Sequence, residues 1–383
     1  MTAHGVGRVV VVSVLDNMRV GGTELNAVRT AALLDRSRFD LRVACFNNEG
    51  PLAARYRSLG IPVLVFPIRS LYGPGAIGAG IRFARYLRSE RVQIVHAHDM
   101  YSNVFVVPWA RLARTPVIIA SRRWWHSLPN RKLRVGNQLS FRAAHAVLAN
   151  SQAVAQSVRD AEHIDAGRIW VVPNFADDSA FEPLPVGQRA AIRAGWGISP
   201  GAFVVGCVAR LVPVKDHSTL LRGFALLHAR VATSHLVLIG DGECRAALES
   251  LVKTLGIDHA TTFVGELRGG ENHHRAFDVS VLCSLSEGFP NTLVEAMAAA
   301  VPIVASRVGG IIDAVIDREN GLLVPPQHAE ALGDALGALA DDPDGRRAMG
   351  LAGQVRANDL YRAAAATGRL QAMYESLLAA RSA

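Results

Sequence analysis

The sequence predicts an α/β protein of two doubly wound domains, each built on a parallel sheet. Three observations predict it. At 383 residues the chain is long for one ordinary domain and suits two of about 150–200 residues. It opens with a strand, a glycine loop and a helix, the first unit of such a fold. The same alternation restarts at Phe203, after a Pro- and Gly-bearing stretch at Ala176–Pro200 that we take as the interdomain connection. The expected division is 1–180, 190–365, and a terminal segment 366–383 whose helix, Gly368–Leu378, crosses back to the first domain.

Arg8–Leu15 is a near-continuous β-branched run of the kind found in buried parallel strands. After the loop Asp16–Val20, Gly21-Gly22-Thr23-Glu24 opens a helix running to Leu34, and its glycines let backbone approach a ligand. Further strands are predicted at Leu41–Phe46, Val63–Phe66, Gln93–His98, Val117–Ser121, Ala146–Asn150 and Ile169–Phe175, with helices such as Pro51–Leu59 and Gly78–Glu90 between them. Period-2 alternation puts His96 and His98 on one face and Asp99 on the other. Ligands of such sheets bind beyond the carboxyl ends of strands, which places His98 and Asp99 near a site.

In the second half, Phe203–Ala209 is a strand that ends at Arg210, with Lys215 five residues on. A planar guanidinium and a compact ammonium beyond a strand end are suited to a diphosphate, on a loop expected to be exposed. His235–Ile239 leads to the turn Gly240-Asp241-Gly242, then helix Glu243–Leu255 and strand Thr261–Gly265; later strands are Ile303–Ser306 and Leu322–Val324. The densest stretch is Ser284–Ala300, SLSEGFPNTLVEAMAAA. A helix should open there with Asn291 as its N-cap, because Pro290 cannot lie inside a helix. The strand–turn–helix geometry aims free N–H groups at a bound phosphate. Glu287 and Glu295 bracket the helix start.

These strings resemble the retaining glycosyltransferases of family 4, which carry an E-x7-E signature on the GT-B fold, two doubly wound domains facing a cleft. The resemblance rests on EGFPN-x-x-x-E (287–295), R-x4-K (210–215), G-D-G (240–242), G-G-x-E (21–24), H-x-H-D (96–99) and V-x-P-N (171–174). It implies transfer of a sugar from a nucleoside diphosphate to an acceptor hydroxyl with retention at the anomeric carbon. It gives Glu287 the donor hydroxyls and Glu295 the ribose. Arg210, Lys215, Gly21, Gly22 and the turn Gly288, Phe289, Pro290, Asn291 and Thr292 fall to the diphosphate, Gly240 and Gly242 to the nucleotide. His98 falls to catalysis, and Glu24, Arg122 and Arg123 to the acceptor side. The chain departs from the family where a His often follows the fifth strand: Arg122 takes that place, with His126 four residues on. It departs again after Gly309-Gly310, with Ile312-Asp313 in place of Pro-Glu. The resemblance also implies a UDP-sugar donor and a role in cell-surface polysaccharide or glycolipid synthesis. A GT-B nucleotide-sugar 2-epimerase is the alternative.

No metal or other cofactor is expected, since positive side chains and a helix end can do an ion's work. Asp342-Pro343-Asp344 reads as a turn between helices. The formal charge is +8, and nine basic residues fall in the acid-free span Met100–Arg159, beside Trp109, Trp124 and Trp125. Tryptophans favour a membrane interface and basic residues an anionic leaflet. That combination suggests a lipid-linked acceptor and peripheral contact with an anionic membrane rather than a nucleic-acid partner. No apolar run is long enough to span a bilayer and Met1–Asp16 lacks a signal-peptide pattern. The four scattered cysteines lack a C-x-x-C pair, and a cytoplasmic protein is expected.

Overall fold

The computed structural model describes residues 7–125, 130–267 and 270–382. It divides into two compact units, 1–173 with 363–383, and 174–362.

The first unit holds seven strands: β1 (Val9–Leu15), β2 (Phe39–Cys45), β3 (Val63–Val65), β4 (Ile94–Ala97), β5 (Val117–Arg122), β6 (Ala146–Ala149) and β7 (Ile169–Val171). All neighbours are parallel, in the order β3-β2-β1-β4-β5-β6-β7. Such a sheet is covered on both faces, which is why β1 reads as Val and Leu, broken only by Ser13, without polar alternation. On one face Phe83, Phe105 and Phe141 are buried among Val12, Val95 and Ile118. On another, the C-terminal helix Ala363–Ser382 buries Leu370, Met373 and Tyr374 against Val11, Phe39 and Ile94. That helix starts five residues before the expected 368, because Ala363 and Ala366 are themselves buried.

The second unit holds β8 (Phe203–Val208), β9 (Ser234–Ile239), β10 (Thr261–Gly265), β11 (Val279–Leu282), β12 (Ile303–Ser306) and β13 (Gly321–Val324), parallel in the order β10-β9-β8-β11-β12-β13. Its boundary falls ahead of the predicted 176–200 connection. Asn174 Nδ2 donates to the Phe289 carbonyl at 2.8 Å and the Ala176 N–H to the Tyr361 carbonyl at 3.2 Å, so the chain joins this unit directly after Pro173.

Each sheet has one point where strand order reverses, between β1 and β4 in the first unit and between β8 and β11 in the second. Connections leave these neighbouring strands in opposite directions, opening a crevice beyond their carboxyl ends. The loops after β1, β4, β8 and β11 carry most of the candidate residues named above.

Candidate active site

In the second unit, the loop after β8 and the turn after β11 meet at the reversal point. The Leu285 N–H donates to the Val214 carbonyl at 2.8 Å. Lys215 Nζ donates to Glu287 Oε1 as an ion pair, with the two side chains 17% and 11% exposed. Ser284 Oγ donates to the same carboxylate oxygen at 2.6 Å. Lys215 is therefore not on an open loop as the sequence suggested; it is half-buried and held by Glu287. Arg210 is exposed, and its guanidinium pairs with none of the described residues.

The helix Asn291–Ala298 buries Leu293, Val294 and Met297 completely. At about 1.5–3 kcal/mol for each such side chain, packing fixes where its N-terminus lies. Its N-cap is Pro290, not Asn291, and no side chain caps its first N–H groups. Proline at φ −79° and ψ 125° sits just outside the helix, where its ring costs no hydrogen bond, and Asn291 becomes the first helical residue. A helix start without a side-chain cap is suited to an anion. Ser286 Oγ in the preceding turn is buried without a hydrogen-bond partner among the described residues, a polar group that a ligand can satisfy. Glu295 is buried in the helix's second turn, at 8% exposure. Gly288 and Pro290 are buried, and Thr292 is half-buried. Phe289 is placed differently from its predicted donor contact. Its ring is 4% exposed and meets Tyr361 edge-on at 5.3 Å, so only its backbone can face a ligand.

Gly240 and Gly242 have a visible structural reason. Gly240 stands at φ +134°, and a Cβ there would come within 2.0 Å of the Ala209 carbonyl oxygen. The Leu211 N–H donates to the Asp241 carbonyl at 2.9 Å. The glycine turn thus clasps the loop that carries Arg210. Thr292 Oγ1 and Ser280 Oγ flank the buried His274 at 3.3 and 3.4 Å, and burial pushes that imidazole down to about 3. Sequence reasoning missed His274 and Ser284. Ser284, at the strand end three residues before Glu287, was legible; nothing near His274 marked it. Asp342 accepts the Gly345 N–H at 2.9 Å and caps the helix Pro343–Leu360.

In the first unit, Gly21 is the N-cap of the helix Gly22–Leu33 and no side chain caps it. The Glu24 carboxylate folds back over Gly21, where a Cβ would come within 2.2 Å of Oε2. Beyond β4, His98 Nε2 shares a 2.7 Å hydrogen bond with Ser13 Oγ and its ring stacks on His96 at 4.1 Å, while its Nδ1 has no partner among the described residues. His96 lies between Tyr374 Oη at 2.8 Å and Ser121 Oγ at 2.9 Å. Burial drives both imidazoles down, His96 to about 3, which keeps them neutral. Asp99 caps the helix Met100–Ala113 and accepts the Asp16 N–H at 3.0 Å; burial and the Asp16 charge raise its carboxyl to about 7.

Arg122 departs from its expected acceptor-side role. It is 6% exposed and pairs with Glu162 at 3.0 Å under the Trp124 ring. A guanidinium this deep needs a carboxylate partner, and here it serves packing. Arg123 Nη1 donates to Asn26 Oδ1 at 3.3 Å, and burial pushes its guanidinium down to about 10. His126 lies outside the described residues. The tryptophans also depart from the membrane expectation. Trp124 is buried, Trp125 packs against the core, and the Trp109 ring fills the space above Gly80, where a Cβ would come within 1.8 Å.

A cavity of about 420 Å³ opens in the second unit and one of about 630 Å³ in the first. The larger lies beyond the carboxyl ends of β1, β2 and β4, with Asp16, Asn17, Asn47 and Tyr101 on its walls.

Two parallel-sheet α/β units of this order are the GT-B architecture. The structure of HepE (Alr3699) from Anabaena in complex with UDP superposes with a TM-score of 0.85 at 22% identity, over 97% of this chain and 100% of that one. The sequence pattern of the glycosyl transferases group 1 matches residues 188–356, and that of glycosyltransferase family 4 matches residues 20–180. The D-inositol 3-phosphate glycosyltransferase of Kineococcus radiotolerans is 30% identical over 328 residues, 77% of this chain and 74% of that protein. The enzyme of the same name from Nocardia farcinica is 33% identical over 252 residues, 63% of this chain; the match spans about half of that relative's own length, 55%. The chain belongs to the group 1, family 4 glycosyltransferases.

Proposed function

We propose that the protein is a retaining glycosyltransferase that moves a sugar from a UDP-sugar to a hydroxyl of a glycan or lipid-linked acceptor. The observation that carries the donor half is the group at the β8/β11 reversal point: unpaired Arg210, the Lys215–Glu287 pair, and a helix start without a side-chain cap. The hard step is departure of the diphosphate as positive charge builds on the sugar. Preorganised cations and N–H groups aimed at the leaving oxygens lower that barrier. Arg210, Lys215 and the Asn291 helix end supply them. Glu287, held by Lys215 and Ser284, is placed to take donor hydroxyls, and Glu295 the ribose. His98, neutral and fixed by Ser13, is a hydrogen-bonding group and not a cation. UDP is supported by the Anabaena neighbour, whose structures hold UDP and UDP-glucose. The relatives named above are transferases, and nothing in them supports a 2-epimerase.

The first unit's 630 Å³ cavity bears on the acceptor. Phe46, Ile68, Leu71, Met100 and Leu133 line it, with Arg19 and Arg69 at hand. The relatives' name points to an inositol phosphate; these walls suit an acceptor with an apolar part and an anionic group, such as a lipid-linked diphosphate. The helix Arg131–Ala143 borders the cavity and exposes Arg131, Lys132, Arg134 and Arg142 beside Val135 and Leu139. That mixture supports contact with an anionic membrane at its cytoplasmic face, in a role in surface polysaccharide or glycolipid synthesis. Among the described residues no helix is long and apolar enough to cross a membrane.

The test is release of nucleoside diphosphate from UDP-, GDP- and ADP-sugars, with lipid-linked acceptors, with inositol 3-phosphate, and with none. Acceptor-dependent UDP release, with an α-linked product from an α-linked donor, is expected. Conversion of the UDP-sugar to its 2-epimer without acceptor, or turnover of none of the donors, would overturn the reading.

A further inference from the structure

The smaller cavity lies at the other edge of the second unit's sheet. Asp278 directly precedes β11 and Pro302 directly precedes β12, so its walls are built at the amino ends of those strands. The diphosphate group around Lys215 and Glu287 follows the carboxyl ends. β11 is four residues long, so about 13 Å of strand separates the two regions.

Four arginines line the cavity: Arg189, Arg275, Arg346 and Arg347. Its one lining carboxylate, Asp278, is already saturated. Oδ1 accepts from Arg189 at 2.7 Å, and Oδ2 from Arg193 at 2.8 Å and from the Val204 N–H at 2.7 Å. Among the described residues Arg275 has only carbonyl acceptors, on Ala180, Ala298 and Ala299, and its buried Nε has no partner. Arg346 donates to the Leu339 carbonyl at 2.7 Å and lies over the Phe203 ring. Arg347 is exposed and pairs with none of the described residues. Asp342, before the adjoining helix start, is used as its cap. Among the described residues, three guanidinium charges therefore share one concave wall with no carboxylate to answer them. Carbonyls satisfy N–H groups but leave the charge uncompensated. The planar fork of Arg matches phosphate oxygens in pairs.

We propose that this cavity is a second anion site, which takes a phosphate-bearing small molecule of at least pyrophosphate size. A volume of about 420 Å³ holds such a group with part of what it is attached to. The site is independent of the donor reading and shares no residue with it.

The test is calorimetric titration of the full chain with inorganic pyrophosphate at low salt, using wild type, Arg347→Glu, Arg347→Lys and Lys215→Ala. Arg347→Glu should weaken binding about tenfold or more, and Arg347→Lys by about threefold or less. Lys215→Ala should leave this binding intact, and added salt should weaken it. Thermal melts confirm that each variant folds; Arg346→Gln is the second probe of the same wall and should also weaken binding. The proposal is overturned if millimolar pyrophosphate does not bind, or if binding ignores Arg347→Glu and Arg346→Gln. Loss in Lys215→Ala alone would assign pyrophosphate to the donor site. Loss in the Arg347 variant alone, with no UDP binding, would keep this site and sink the donor reading.

Discussion

Replacing Lys215 with alanine should affect activity and stability together. In the native protein Lys215 and Ser284 both hold Glu287 Oε1, and the carboxylate is 11% exposed. Lys215→Ala leaves that charge with Ser284 as its remaining side-chain partner among the described residues. A hydrogen bond to a charged group contributes about 1.5–3 kcal/mol, and partial access of water lowers this to about 1–2 kcal/mol. For a unit of this size that corresponds to a fall in Tm of about 2–8 °C. Glu287→Gln should cost a similar amount, because it frees the ammonium. The double variant should cost less than the sum by about 1 kcal/mol, since neither partner is left stranded. On activity, Lys215→Ala should lower kcat/KM by about 10²-fold, the usual effect of removing one preorganised charge. Calorimetric melts of the four proteins, with UDP release under the same conditions, measure both. Strict additivity within about 0.5 kcal/mol would refute the ion pair, and near-normal turnover in Lys215→Ala would remove it from the site.

Activity should survive EDTA, because Arg210, Lys215 and a helix end stand where an ion would; full loss restored by Mg²⁺ or Mn²⁺ would contradict this. Arg131→Glu with Lys132→Glu should abolish the salt-sensitive binding of the protein to anionic vesicles while sparing hydrolysis of free UDP-sugar; equal binding to neutral vesicles would count against membrane docking. Tyr374→Phe strips the hydroxyl from His96 Nδ1 in the first unit's interior, and should cost about 1–3 kcal/mol in denaturant melts. His96 stays neutral when folded, at about 3, but takes a proton near 6.5 when unfolded. Between these values the unfolded chain binds more protons, so stability should fall as pH drops below about 6.5. A His96→Gln variant should flatten that slope; a melt profile unchanged by it would refute this source.

The alternation of strands and helices was legible because parallel sheets demand largely apolar strands, as at Val11–Leu15 and Val279–Leu282, where one serine each is the only polar residue. The site string was legible for a related reason. Strand end, turn and helix start are contiguous in the chain, so Glu287, the Pro290 turn and the helix could be placed from local rules. The cap was misjudged by one residue, because proline can take the cap position itself when its φ suits. What remained hidden depends on distant partners. Glu162 lies 40 residues from Arg122, and nothing local shows that the guanidinium turns inward. Lys215 and Glu287 are 72 residues apart, so the burial of the loop was invisible. The tryptophans were misplaced because composition cannot tell a ring at a surface from one filling the space over Gly80. The cavity with Arg189, Arg275 and Arg347 joins residues from four separate segments, and no spacing in the chain announces it.

The account's central claim is that the β8/β11 reversal point of the second unit binds a UDP-sugar. Equilibrium titration of UDP into wild type and into the Arg210→Ala, Lys215→Ala double variant tests it most directly. Saturable binding in the wild type whose tightest component is weakened about 10²-fold or more in the variant is predicted. UDP binding of equal strength in both proteins would contradict it.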